Sequence, residues 1–449
     1  MRVLGVGEDC DLADLYYRLQ MRGHEVRVFV AQAEAQEVYA GMLTFTSRWE
    51  DELPWIRAAG GDGIIVFESA TRGDLQDRLR REGYQVIGGS AYGDLLESDR
   101  EFGQSVMRDM GLRTAATRRF RDFDAALDFV RAAPRRYVFK NNGAATLRTQ
   151  NYVGEFADGS DMVALLALYK AQRNGDGAPD FVLMDHVEGV EVGVGAYFNG
   201  TAFLQPACLD WEHKRFFPGD LGELTGEMGT IVTYRGAERI FEATLGRMAV
   251  PLAGSGYQGY INLNLIANEE GLWPLEFTSR FGYPGYAICE ALHLEPWESI
   301  FSKMLSGDAR EFETSPGFAA GVVLTVPPFP YSHGYAELSK GAPVSFCPAM
   351  TADDRTRIHL AEVALAGAQL VTSGQTGYVG VATGTGDTVG AAARCAYELA
   401  RKVVVPNLRY RRDIGERLER GDLARLRTLG WYAEPEPYAA AVSKGTAAT

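Results

Sequence analysis

The stretch that most constrains this chain is residues 259–285, GYINLNLIANEEGLWPLEFTSRFGYPG. Ile261, Leu263 and Leu265 alternate with Asn262 and Asn264, the period-2 signature of a strand with one buried face. Asn268-Glu269-Glu270-Gly271 supplies a turn, and Trp273 to Phe277 resumes as a strand. Pro274 stands near the start of that strand, where a missing ladder donor is tolerated. In this register Asn264 and Glu276 face the same side of a sheet, with Thr278 two residues further on. Such an oxygen set suits Mg²⁺, which takes a few protein oxygens and completes its shell with water and substrate phosphates. The competing reading is a surface hairpin with polar residues on its wet face.

A chain of 449 residues exceeds what one hydrophobic core holds, so two or three domains are expected. Hydrophobic residues at 46% are enough for ordinary globular cores. The net charge of −14 opposes non-specific binding to nucleic acid. Five scattered cysteines without a C-x-x-C pair point to reduced thiols in a cytoplasm, not to a disulfide framework or a zinc site. The opening MRVLGVGEDC reads as a strand and turn, too short and polar for a signal peptide. No apolar run approaches the roughly 18 residues needed to span a bilayer, so no membrane partner is expected.

Four short strands (Arg2–Gly7, Val26–Val30, Ile64–Phe67 and Val86-Ile87) alternate with helical patterns, which predicts a parallel sheet with helices on its faces. Gly5 and Gly7 lack the third glycine of a dinucleotide fingerprint. Ser98 to Met110 reads as a helix closed by Gly111, and Asp122 as the cap of the helix that follows it. Tyr137 to Lys140 is a strand running into the small-residue loop Asn141 to Thr146, whose amides could approach phosphates, with Lys140 and Arg148 adding charge. A plain turn is the alternative. Asn199-Gly200 signals a hairpin, with Phe203 to Cys208 as the returning strand. Then come Glu212-His213-Lys214-Arg215 and a glycine-dense segment, Gly219 to Gly229, which reads as a ligand lid or as a charged surface turn. Helices are expected over Arg235–Ala253 and Val389–Val404, strands over Gly317–Val326, Ala368–Ser373 and Val379–Ala382, and an unordered tail from 433.

Together these segments resemble the ATP-grasp ligases, and within them the glycinamide ribonucleotide synthetases. Glu212 to Arg215, Thr225-Gly226-Glu227-Met228-Gly229, Leu275 to Gly282 and Arg412-Asp413-Ile414-Gly415 match that family's D-H-K-R, T-G-G-M-G, E-F-N-x-R-F-G and R-K-D-I-G segments in order and spacing. The resemblance implies a multidomain α/β and α+β protein. Its parts are an N-terminal parallel α/β domain (1–102), an ATP-grasp core (103–315) with a lid subdomain near 113–190, and a C-terminal α+β domain (316–432). It implies a cytoplasmic carboxylate–amine ligase of purine biosynthesis, a monomer or homodimer, using ATP and Mg²⁺ (or Mn²⁺), an amino acid such as glycine, and an amine. The carboxylate is phosphorylated to an acyl phosphate, which the amine attacks. By position, Lys140, Arg148 and Arg100 fall on the phosphates, Asp185 and Val187 on the adenine, and Glu191 on the ribose. Glu276, Asn264 and Thr278 fall on the metal, and His213, Lys214, Arg215 and Arg280 on the reacting groups.

The chain also departs from the pattern. The phosphate loop G-L-A-A-G-K-G is here Gly143 to Thr149, with two glycines lost and lysine replaced by Arg148. The metal-site asparagine is Thr278, and Arg100 stands in place of a lysine. The loop G-N-G-G-R-E-H has become Gly5-Val6-Gly7-Glu8-Asp9-Cys10-Asp11, and its added acids would repel a sugar phosphate. A different amine substrate, or a nucleotide-binding homologue with impaired catalysis, is therefore the alternative to glycinamide ribonucleotide synthesis.

Overall fold

The computed structural model describes residues 1–141, 151–172 and 179–433. At the N-terminus, β1 (Arg2–Gly7), β2 (Glu25–Val30), β3 (Gly63–Phe67) and β4 (Gln85–Ile87) form a parallel sheet in the order β2-β1-β3-β4. The helix expected over 98–110 forms as Arg100–Asp109, and a second helix, Ala91–Ser98, directly precedes it. Asp99 separates them because its extended backbone lets its carboxylate accept the Phe102 N–H at 3.0 Å, an N-cap that restarts the helix.

A second, antiparallel sheet contains β5 (Thr117–Phe120), β6 (Tyr137–Asn141), β7 (Tyr152–Val153) and β8 (Phe181–Asp185), in the order β5-β8-β6-β7. Period-2 alternation divides its faces. Phe120, Tyr137, Phe139 and Phe181 pack with helices Phe123–Ala132 and Ser160–Gln172, with the Phe123 and Phe181 rings stacked at 5.1 Å. Val138, Val182 and Met184 form a small apolar cluster on the other face. Asp122 caps its helix as expected, accepting the Asp124 N–H at 3.0 Å.

The largest sheet has eight strands. It is built from β9 (Val190–Asn199), β10 (Cys208–Glu212), β13 (Gly229–Thr233), β14 (Gln258–Asn268), β15 (Gly271–Thr278) and β16 (Phe318–Thr325), in the order β15-β14-β9-β10-β13-β16. Tyr378–Gly386 and Ile358–Leu360 continue it, so the sheet runs on into the C-terminal region. A separate ribbon joins β11 (Arg215–Phe217) to β12 (Leu221–Leu224). The glycine-dense segment is thus largely a hairpin rather than an open loop.

Three further expectations are corrected. The strand returning from Asn199-Gly200 is Cys208–Glu212, not 203–208; Phe203 makes one bridge to Phe198, and Pro206 has no N–H for a ladder. The helix expected over 235–253 is broken at Thr244, whose backbone leaves the helical region while its hydroxyl donates to the Ile240 carbonyl at 2.6 Å. The helix from Val389 ends at Ala400, and Val403-Val404 pairs instead with Ser345-Phe346. Among the described residues no helix is long and apolar enough to cross a membrane.

Candidate active site

A cavity of about 680 Å³ lies between the four-stranded antiparallel sheet of β5 to β8 and one face of the eight-stranded sheet. Its floor follows from strand register. Glu276 on β15 stands opposite Asn264 on β14, Asn264 opposite Gly193 on β9, and Gly193 opposite Asp210 on β10. Thr278, Asn262 and Gly195 form the next row. The central strand contributes glycine at both positions because longer side chains reach over it. A Cβ on Gly193 would collide with the Asp210 carboxylate, and one on Gly195 with the Tyr260 hydroxyl. The polar residues of β14, β15 and β10 therefore occupy space that any larger residue on β9 would fill.

Charges from separate parts of the chain meet over this floor. Lys140 Nζ from β6 and Arg100 Nη1 from the helix Arg100–Asp109 both approach Glu276 Oε2 at 3.1 Å. The Lys140 charge, with Arg100 and Lys214 behind it, overcomes burial and holds the Glu276 carboxyl far below the usual carboxylate range. Burial acts more strongly on Lys140 itself and lowers its pKa despite Glu276. Beside them Lys214 Nζ lies 3.2 Å from Glu191 and 2.9 Å from Glu212, whose other contact is the Asn264 amide at 3.4 Å. Burial opposes charge on Lys214, yet Glu212 and Glu191 keep it protonated well above its ordinary pKa.

The remaining expected residues divide. Asp185 and Val187 line the cavity at the end of β8, with Asp185 paired to Arg135 at 3.1 Å and Val187 packed beside Met184. Thr278 lines the cavity too. Arg215 does so while donating to the Gly222 carbonyl at 2.6 Å, and Arg280 while pairing with Glu97 at 3.0 Å. His213 does not. Only 1% exposed, its ring joins two backbones: Nδ1 lies 3.3 Å from the Gly229 carbonyl, and Nε2 accepts the Gly415 N–H at 3.2 Å. Burial, with Arg411 and Arg417 nearby, lowers its pKa to about 4 and keeps it neutral. The reacting role expected for His213 is thus replaced by a structural one. Arg148 and the loop from 142 lie outside the described residues. Glu8, Asp9 and Asp11 lie outside the cavity lining.

Residues 98–286 match the family model of the phosphoribosylglycinamide synthetase ATP-grasp (A) domain. Curated phosphoribosylamine–glycine ligases are similar along most of the chain. The one from Nostoc is 28% identical over 357 residues (77% of this chain, 81% of the relative). That from Rhizobium meliloti is 27% identical over 386 residues (83% and 87%). The chain is an ATP-grasp ligase that resembles the phosphoribosylamine–glycine ligases. The fold of this ATP-grasp ligase recurs in the solved phosphoribosylamine–glycine ligase from Thermotoga maritima, with TM-score 0.69, 23% identity, and 92% of this chain and 100% of that one covered. It also recurs in the biotin carboxylase domain of Hydrogenobacter thermophilus 2-oxoglutarate carboxylase, solved with MgADP and bicarbonate, at TM-score 0.65, 12% identity, and 96% and 99% coverage.

In this ATP-grasp ligase the ribbon β11–β12 is bolted to the C-terminal region by Arg411. Its guanidinium, fully buried, donates to Asp413 at 2.6 Å, to Asp220 at 2.7 Å and to the Arg215 carbonyl at 3.0 Å. The R-D-I-G segment thus positions one wall of the cavity through the arginine just before it. Sequence reasoning missed Asp210, Asn262, Glu212, Glu97 and Arg417 as cavity residues. Two signals were readable. Asp210 and Glu212 are two apart on one strand, and Glu191, Gly193 and Gly195 are two apart on another, so each set shares a face. Glu97 and Arg417 carried no such signal, since only the packing of distant helices brings them in.

Proposed function

We propose that this ligase joins an amino acid carboxylate to an amine at the expense of ATP, with glycine and phosphoribosylamine as the substrates its relatives suggest. The observation that carries this reading is the meeting of Lys140 and Glu276 at 3.1 Å across the cavity from different sheets. A carboxylate oxygen of the amino acid attacks the γ-phosphorus of ATP and the bond to ADP breaks. The amine nitrogen then attacks the acyl carbon, phosphate leaves, and the nitrogen loses a proton. Lys140 and Arg100 offset phosphate charge, with Arg148 a further candidate. Asp185 and Val187 border the base, and Glu191 accepts from the ribose hydroxyls. Lys214, Arg215 and Arg280 stabilise the charge that moves between carboxylate and phosphate.

Glu276, Asn264 and Thr278 would hold Mg²⁺ or Mn²⁺, which when bound neutralises phosphate charge as it shifts. The donor set fits: one carboxylate, one amide and one hydroxyl suit an ion that takes its other ligands from water and phosphate, and among the described residues no cage of three or more acidic, His or Cys groups competes. The five free cysteines support a cytoplasmic setting, and the charge of −14 favours small-molecule partners over nucleic acid. The test is glycine-dependent ADP release from Mg-ATP with phosphoribosylamine generated in place. Release that needs another amine keeps the ligase and changes the acceptor. ADP release with no dependence on any carboxylate or amine overturns the reading.

A further inference from the structure

Two cations and one carboxylate of the cavity are matched to one another. Lys140 Nζ and Arg100 Nη1 both lie 3.1 Å from the same atom, Glu276 Oε2. They converge from three separate elements: Lys140 from β6, Arg100 from the first position of the helix Arg100–Asp109, and Glu276 from β15. All three line the cavity, with side chains 16%, 26% and 35% exposed, so a ligand there can reach each of them. Among the described residues neither cation pairs with any other carboxylate.

The reading above gives these two cations to nucleotide phosphate and this carboxylate to the divalent ion. An oxygen that already accepts from an ammonium and a guanidinium is a poor ligand for a cation, since two positive charges stand beside it. The two cations are poor partners for phosphate for the mirror reason. Each ligand has to break the same ion pairs, and once one has done so the other finds its residues released. We propose that the triad makes nucleotide and divalent ion bind as one unit: Lys140 and Arg100 transfer their pairing from Glu276 to phosphate, and the released Glu276 turns to the ion. Lys140 and Arg100 are then positioning residues for Glu276 as well as phosphate partners. This rests on the nucleotide and metal assignments of the ligase reading, and adds to it the residues that couple one ligand to the other.

The test measures binding by the full chain, without turnover. Mn²⁺ binding is followed by electron paramagnetic resonance, and ADP binding by calorimetry in EDTA or in saturating Mn²⁺. Phosphate oxygens ligate Mn²⁺ directly, so tighter joint binding by the unmutated chain follows from any metal–nucleotide site, and the variants decide. Arg100→Gln is expected to tighten Mn²⁺ binding in the absence of nucleotide by about tenfold, because a competitor for Glu276 is gone. Glu276→Gln is expected to tighten ADP binding in EDTA by about tenfold, because a competitor for Lys140 and Arg100 is gone. Simple relief of repulsion would give Arg100→Gln the same gain with or without the carboxylate. Under exchange the gain needs Glu276, so adding Arg100→Gln to Glu276→Gln is expected to leave Mn²⁺ binding within about twofold of Glu276→Gln alone. Unchanged or weaker Mn²⁺ binding in Arg100→Gln, unchanged or weaker ADP binding in Glu276→Gln, or an equal gain in both backgrounds overturns the exchange and leaves the ligase reading in place. Should one single variant fail to fold, the binding measured on the other still decides. An unmutated chain that binds no ADP even with Mn²⁺ removes the nucleotide reading and this inference with it.

Discussion

Two polar regions share one cavity and differ in how their charges are balanced. Around Glu276 and Lys214, cations and anions alternate: Lys140 and Arg100 meet Glu276, and Lys214 bridges Glu191 and Glu212. At Asp210, one carboxylate oxygen accepts from the Asn262 amide at 2.6 Å, and the other has no hydrogen-bond partner among the described residues. The first arrangement satisfies itself, and a removed member leaves a buried partner exposed to the full cost of desolvation. In the second, burial and the neighbouring Glu212 push the Asp210 pKa up to about 7.

The sharpest way to break this contrast is Glu276→Gln. It leaves Lys140 and Arg100 facing a neutral amide and is expected to reduce kcat for ADP release by about 10²–10³-fold. Turnover close to that of the parent enzyme would show that the balanced cluster is scaffolding. Lys140→Met is expected to do less, raising KM for ATP by roughly 10–100-fold while the amino acid KM stays nearly fixed. Steady-state titration of each substrate separates the two effects.

A third test lies outside both clusters. His213 has a folded pKa of about 4, below the ordinary value of 6.5. Below pH 6.5 the unfolded chain therefore binds the extra proton first, and the stability due to a neutral His213 is lost as pH falls toward 4, on the order of 3 kcal/mol. His213→Gln should flatten part of the fall in thermal midpoint over that interval, the rest being left to other titrating groups, among them His186 and His293, whose pKa values burial lowers. An undiminished fall would show that the ring is not held neutral between Gly229 and Gly415. The smallest effect is expected from Thr278→Asn, which extends the reach of one oxygen donor. It should lower the Mg²⁺ concentration for half-maximal activity by only about two- to fivefold, and no change would remove Thr278 from the metal set.

Much of this was legible before folding. The alternation in 259–285 predicted the β14–β15 hairpin, and the structure pairs Asn264 with Glu276 across it. The N-terminal strands were readable because a parallel sheet leaves near-continuous apolar runs. The interruption at Thr244 was not, since a broken turn keeps the surrounding apolar spacing intact. The family resemblance put His213 among the reacting groups, but on an extended chain its side chain leaves the face that Glu212 and Lys214 occupy.

From the sequence alone came which residue types alternate, which strands they build, and the order of segments that resembles a known ligase, because periodicity and spacing are local properties of a chain. Tertiary structure alone decided that Lys140, Arg100 and Glu276 meet on one carboxylate oxygen and that Asp210 is left with an open one. Whether a buried charge finds a partner depends on strands and helices far apart in the chain, and no local pattern records that distance.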